Sequence, residues 1–107
     1  MLSAIIVAAG SSRRMGFDKL MAPLAGAPVL EHTANAFIQS TDVDELILVC
    51  PEERFEKLDL LANGTVVKRV DGGTDRHNSV SNGLAQLSSE TQFVAVHDGA
   101  RPLISQE

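Results

Sequence analysis

Ala4-Ile5-Ile6-Val7-Ala8-Ala9-Gly10-Ser11-Ser12-Arg13-Arg14-Met15-Gly16-Phe17-Asp18-Lys19 decides how the rest of the chain is read. Its first four residues are an apolar run without polar alternation, the pattern of a strand covered on both faces. The run ends in small residues, where backbone can approach a ligand closely. Successive free N–H groups at such a turn make a concavity for anions. Three of the chain's nine Lys and Arg then fall between positions 13 and 19, and their donors match phosphate oxygens. Strand, small-residue turn and cation cluster together point to a triphosphate or another polyphosphate. The competing reading is an ordinary strand-to-loop exit with solvated charges. Two familiar phosphate motifs do not fit. Gly10 and Gly16 are six apart with Phe17 next, against G-x-x-x-x-G-K-[ST], and Ser12 takes the second glycine position of G-x-G-x-x-G.

At 107 residues the chain holds one domain at most. Apolar residues are 44% and charged residues 21%, the balance of an ordinary soluble globular protein. There is no Trp or Tyr and there are four Phe, so base stacking on aromatic platforms is not expected. A net charge of −5 argues against nucleic-acid or membrane partners and makes the local basic cluster more informative. Cys50 is the single cysteine, which excludes a disulfide framework or a cysteine-built zinc site within one chain. At the end of an apolar strand it is expected to be a buried, inert thiol. No apolar run reaches membrane-spanning length and no leader pattern opens the sequence, so a cytoplasmic location is expected.

Outward from the first loop, residues 20–28 are broken by Pro23, Gly26 and Pro28 and read as a short extended piece and a turn. Pro28 opens a helix over 28–40, with Leu30, Ala34, Phe37 and Ile38 on one face. His32 lies on it and is expected at the rim, since no second ligand stands four residues away. Residues 45–50 are a second apolar strand. Pro51-Glu52-Glu53 opens a second helix with acid in its first turn. Phe55, Leu58, Leu61 and Ala62 are its buried side, and Asn63-Gly64 ends it. Residues 65–70 are a third strand, whose Lys68 and Arg69 suit a sheet edge.

Asp71-Gly72-Gly73-Thr74-Asp75-Arg76-His77-Asn78-Ser79-Val80 is a second strand–glycine–helix junction. Thr74 or Asp75 caps the helix, and Val80, Leu84 and Leu87 are its apolar face. Its N-terminal N–H groups face whatever anion binds there, while His77 reads as solvated. The fourth strand, 93–96, runs into His97-Asp98-Gly99-Ala100-Arg101-Pro102. Alternating strands and helices predict an α/β fold with a doubly wound, mainly parallel sheet in the order 3-2-1-4. Stretches 8–19, 72–79 and 97–101 then all leave C-terminal strand ends, where such sheets bind ligands. Strand 4 is apolar and at an edge, which favours pairing with another chain.

With those stretches in place, the chain resembles a known family. Ala8-Ala9-Gly10, Arg14-Met15-Gly16 and Lys19 resemble the opening motif of nucleotidyltransferases with a Rossmann-like fold. That motif is shared with molybdenum-cofactor guanylyltransferases and sugar-phosphate nucleotidyltransferases. Gly72-Gly73-x-x-Arg76-x-x-Ser79-Val80-x-x-Gly83-Leu84 and Val96-His97-Asp98-Gly99-Ala100-Arg101-Pro102 are narrower. They resemble the 2-C-methyl-D-erythritol 4-phosphate cytidylyltransferases of non-mevalonate isoprenoid synthesis. Two departures stand out: Ser12 where the family often has a second glycine, and Asp18-Lys19-Leu20 where it commonly reads Pro-Lys-Gln.

The resemblance implies transfer of CMP from CTP to 2-C-methyl-D-erythritol 4-phosphate with release of pyrophosphate. Arg14 and Lys19 are implied as the catalytic cations on the triphosphate. Ala8, Ala9 and Gly10 line the nucleotide, and Gly72, Gly73, Arg76 and Ser79 surround the cytosine. Asp98 binds Mg²⁺, with Gly99 and Arg101 close by on the substrate side. His97 is implied as structural. Residues 1–107 correspond to the nucleotide-binding part of a longer domain. Later strands, a dimerisation arm and most of the acceptor pocket are then expected beyond Glu107, with a homodimer when full length. Two other classes compete: a relative using a different NTP, told apart by nucleotide preference, and a nucleotide-binding piece without turnover.

Overall fold

The computed structural model describes residues 1–8, 23, 24, 26–61 and 64–98, with the backbone alone at Pro23, Leu24, Arg76 and Asp98. Four strands build the sheet: β1 (Leu2–Val7), β4 (Glu45–Val49), β5 (Val66–Val70) and β6 (Phe93–Asp98). All pairings in it are parallel, and the order is β5-β4-β1-β6. Each strand's neighbours are therefore those expected. In chain-order numerals the match is looser, because β2 (Pro23–Leu24) and β3 (Ala27–Pro28) add an antiparallel hairpin between β1 and the first helix. Gly26 turns that hairpin at φ 88°, the left-handed region that glycine tolerates.

Alternation along the central strands divides the core in two. Ala4, Ile6 and Ala8 join Leu46, Leu48 and Cys50 under Leu30, Ala34 and Ile38 of α1 (Val29–Gln39). Ile5, Ile47 and Val49 form the opposite cluster with Val7, Val70 and Leu87. On that face lies α3 (Arg76–Leu84), whose Gly83 sits directly over Ile5 and Val49. Helices on both faces are the doubly wound arrangement, and they explain why β1 and β4 carry no polar alternation. As expected, β5 and β6 lie at the two outer positions of the sheet. Phe93, Val94 and Val96 of β6 are exposed.

Three expectations are corrected. Pro28 is the N-cap of α1, one residue outside the helix. The second helix, α2, spans only Glu52–Phe55 and does not run to residue 63. Side chains of α1 take the backbone groups that a longer helix needs. The Asp59 amide donates to Glu31 Oε1 (2.8 Å), the Leu61 amide to Asn35 Oδ1 (2.9 Å), and Asn35 Nδ2 to the Asp59 carbonyl (3.2 Å). Leu61 is consequently exposed, whereas Phe55, Leu58 and Leu60 pack on the core. Third, the covered side of α3 is Ser79 and Gly83, not Leu84, which is 44% exposed.

One buried charge fastens the far end of the sheet. Glu45 begins β4 and is 1% exposed. It accepts from Ser3 Oγ (2.8 Å) and the Ser88 amide (3.2 Å), and Lys68 Nζ lies 2.7 Å from its Oε2. Burial pushes this carboxyl up, but the hydrogen bonds from Lys68, Ser3 and Ser88 outweigh it and hold it below its ordinary value. A carboxyl lowered in the fold adds stability above its ordinary range, and this is lost as pH falls through the lowered value. Lys68→Met should therefore destabilise most at neutral pH. Breaking a fully buried pair costs about 3–5 kcal/mol. The Lys68 side chain is 36% exposed, so about 1.5–3 kcal/mol is the better expectation. Urea denaturation should show the gap to the parent narrowing as acid protonates Glu45.

Candidate functional site

Because the four strands are parallel, their C-terminal ends share one edge of the sheet. Ala8 leaves β1 there, buried, with its amide donating to the Val49 carbonyl at 2.8 Å. Its own carbonyl accepts from Arg54 Nη1. Cys50 leaves β4 in the same way. Its amide donates to the Val70 carbonyl (3.0 Å) and its carbonyl accepts from Arg69 Nη1 (3.0 Å). Arg69 is paired in turn with Asp71 Oδ1 at 2.7 Å. The ladder thus runs one residue past each strand, and a guanidinium closes the last carbonyl. Burial pushes the Cys50 thiol up to about 11 against the pull of Arg54 and Arg69. It is the inert thiol expected from its position, since the thiolate is the reactive form.

The β5–α3 junction is built by close approach. A Cβ on Gly73 would fall 2.3 Å from Asn78 Cβ and 3.0 Å from its carbonyl carbon, so only glycine fits. The Gly73 amide donates to Ser79 Oγ (3.1 Å), and Ser79 is 3% exposed. The first effect of that hydroxyl is to fasten the glycine turn. Asn82 Nδ2 holds the Asp71 carbonyl (3.0 Å) from the other side. Of the two candidate caps, Asp75 does the capping: its carboxylate accepts from the Asn78 amide at 2.8 Å. Thr74 Oγ1 accepts from Asn78 Nδ2 (2.7 Å). A carboxylate at the N-cap, already holding the Asn78 amide, makes this helix end a poor phosphate seat and a better one for an uncharged polar ring.

Arg76 is the first residue of α3, and Asp98 is the last of β6, in register with Val7 of β1. One edge of the sheet therefore brings together Ala8, Gly72, Gly73, Ser79 and the backbone positions of Arg76 and Asp98. Ala9, Gly10, Arg14, Lys19, Gly99 and Arg101 lie outside the described residues. His97 packs edge-on against Phe37, ring centroids 5.6 Å apart, which suits a structural role. His77 is exposed. The sequence does not mark Arg54 and Arg69 as residues that close strand exits. Their signal is faint, one Arg in a short helix and one within a strand, and only the fold carries both to the carbonyls of strand exits.

The model of the 2-C-methyl-D-erythritol 4-phosphate cytidylyltransferase family matches residues 2–107. The chain belongs to that family. A 2-C-methyl-D-erythritol 4-phosphate cytidylyltransferase of Dehalococcoides mccartyi is 45% identical over 108 residues, covering 96% of this chain and 47% of the relative. Among solved structures, 4-diphosphocytidyl-2C-methyl-D-erythritolsynthase from Anaerococcus prevotii superposes with a TM-score of 0.75 at 35% identity, covering 98% of this chain and 45% of that one. The cytidylyltransferase of Francisella tularensis gives 0.72 at 30% identity, covering 97% and 46%. The chain spans about half the length of the curated relatives it matches. Its sheet is the Rossmann-like one of these cytidylyltransferases. No described helix is long and apolar enough to cross a membrane.

Proposed function

We propose that this chain is the nucleotide-binding part of an enzyme that moves CMP from CTP to 2-C-methyl-D-erythritol 4-phosphate and releases pyrophosphate, in non-mevalonate isoprenoid synthesis. Membership of the cytidylyltransferase family over residues 2–107 carries this reading. A phosphate oxygen of the acceptor forms a bond to the α-phosphorus of CTP. The bond from that phosphorus to the bridging oxygen breaks, and its electron pair leaves with pyrophosphate. Two anions must be brought together and charge on the leaving group must be met, so positioning and electrostatics do most of the catalysis.

Arg14 and Lys19 hold the triphosphate in this reading, beside backbone groups of Ala8, Ala9 and Gly10. Gly72, Gly73, Arg76 and Ser79 enclose the cytosine. An uncharged ring suits a junction whose first-turn amide is already taken by Asp75. Asp98, at the end of β6, is the carboxylate for a divalent cation, Mg²⁺ in the finer form of the proposal. Mg²⁺ habitually takes one or two carboxylates with phosphate oxygens and water, and one Asp beside a triphosphate site fits that habit. No group of three or more His, Cys, Asp or Glu forms a cage among the described residues. When bound, the cation supplies charge neutralisation on phosphate oxygens. Gly99 and Arg101 lie next in sequence, toward the acceptor phosphate, and the assembled enzyme is a homodimer acting in the cytoplasm.

Calorimetric titration with CTP and with GTP, each with Mg²⁺, tests the reading. CTP is expected to bind at least about tenfold tighter, a difference of about 1.4 kcal/mol. A preference for GTP would move the chain's specificity to that of the guanylyltransferase relatives. Binding of neither nucleotide would overturn the assignment of residues 8–98 as a nucleotide site.

A further inference from the structure

We infer that Arg54 is a positioning residue for the loop that follows β1: by holding the Ala8 carbonyl, its guanidinium sets the direction in which the chain leaves the sheet. Arg54 stands on α2, directly after β4, and is half-buried. Its backbone is itself fixed. The amides of Arg54 and Phe55 both donate to the Pro51 carbonyl at 3.1 Å, and Phe55 packs on the core. From there Nη1 donates to the Ala8 carbonyl. Ala8 is 1% exposed and its amide is committed to Val49, so the residue is held on both sides. A peptide unit is planar, and fixing its carbonyl fixes the whole unit that joins Ala8 to the loop. A charged donor makes that hold stronger than a neutral one. The inference rests on the reading that residues 8–19 receive the triphosphate, and adds a residue that acts through backbone and need not touch the nucleotide.

Arg69 provides the matched comparison. It carries the same charge, acts electrostatically on the same Cys50 thiol, and grips a carbonyl in the same way. Its carbonyl belongs to the exit of β4, where no candidate site residue lies. An effect of charge alone should follow from losing either arginine, whereas positioning should follow from Arg54 only.

The experiment compares Arg54→Met, Arg54→Gln, Arg54→Lys and Arg69→Met in the intact protein. Hydrogen exchange over peptides covering residues 1–20 reads the pinning, and calorimetry with CTP and Mg²⁺ reads its consequence. Arg54→Met and Arg54→Gln should each speed exchange in that segment and weaken CTP by about tenfold. Arg54→Lys, which keeps a charged donor, should recover part of both, and Arg69→Met should leave the exchange of residues 1–20 at the parent rate. Gln decides the matter if the Met variant does not fold. Parent-like exchange in the Met and Gln variants overturns the inference, as does an equal loss of CTP affinity in Arg54→Met and Arg69→Met. If the parent itself does not bind CTP, the functional reading fails, and the exchange measurement still decides whether Arg54 pins the strand exit.

Discussion

Under the proposed cytidylyl transfer, turnover of the full-length enzyme is expected to fall by about two to three orders of magnitude when Arg14, Lys19 or Asp98 is replaced by Ala. The size follows from what the reaction asks of the protein. Phosphoryl-type transfer leaves little covalent work for side chains, so each preorganised charge facing the phosphates carries a large share of the barrier reduction. Arg14 and Lys19 belong to the only dense group of cations in a sequence of net charge −5. Asp98 closes a strand whose register sets it beside Val7, one residue before the Ala8 exit. Steady-state kinetics should show the loss in kcat more than in KM, because the phosphate contacts proposed for these residues would strengthen as charge develops. Double replacements should lose less than the product of the single ones, since groups acting as a unit are not additive. Near-normal turnover in any single variant removes that residue from the machinery.

Gly83→Val should destabilise the fold by about 3 kcal/mol, the largest structural effect anticipated from one substitution. A Cβ at this position would meet Ile5 Cγ2 at 2.9 Å and Val49 Cγ2 at 3.0 Å. Both partners are fully buried and have little room to retreat in a close-packed interior. Two effects oppose each other here. Replacing an interior helical Gly by Ala ordinarily gains about 1 kcal/mol in propensity, while overpacking costs about 1–3 kcal/mol. Ala should therefore come out near neutral or mildly destabilising. Val adds two methyls and a stiff χ1 in the same space, and the clash prevails. Urea denaturation of both variants checks this, and a Val variant as stable as the parent would contradict the close seating of α3. Lifting α3 also displaces the Gly73–Ser79 fastening, so nucleotide affinity should drop along with stability.

The β5-β4-β1-β6 sheet was legible because its signal is local. Apolar runs such as Ile5-Ile6 and Leu46-Ile47-Leu48 lack polar alternation, and that alone says both faces are covered. Handedness of the crossovers then leaves few orders to choose from. The glycine junction at Gly72-Gly73 was equally open to reading, since Gly73 is required by a contact five residues along the same chain. Family membership was legible for a similar reason: its motifs are short and contiguous.

Tertiary structure alone decided what depended on partners distant in sequence. Leu58 and Leu61 show helical spacing, yet α2 stops at Phe55 because Glu31 and Asn35, some 26–28 residues earlier, claim the backbone of Asp59 and Leu61. Leu84 has the apolar character of a buried helix position, but the sheet admits only the face that carries Gly83. Glu45 sits in an apolar strand with nothing nearby to mark it as the partner of Lys68, Ser3 and Ser88. Arg54 reaches the Ala8 carbonyl across 46 positions of chain. Periodicity records which side of an element is apolar. Which side is covered, and which charge closes a strand exit, depends on chain packed there from elsewhere.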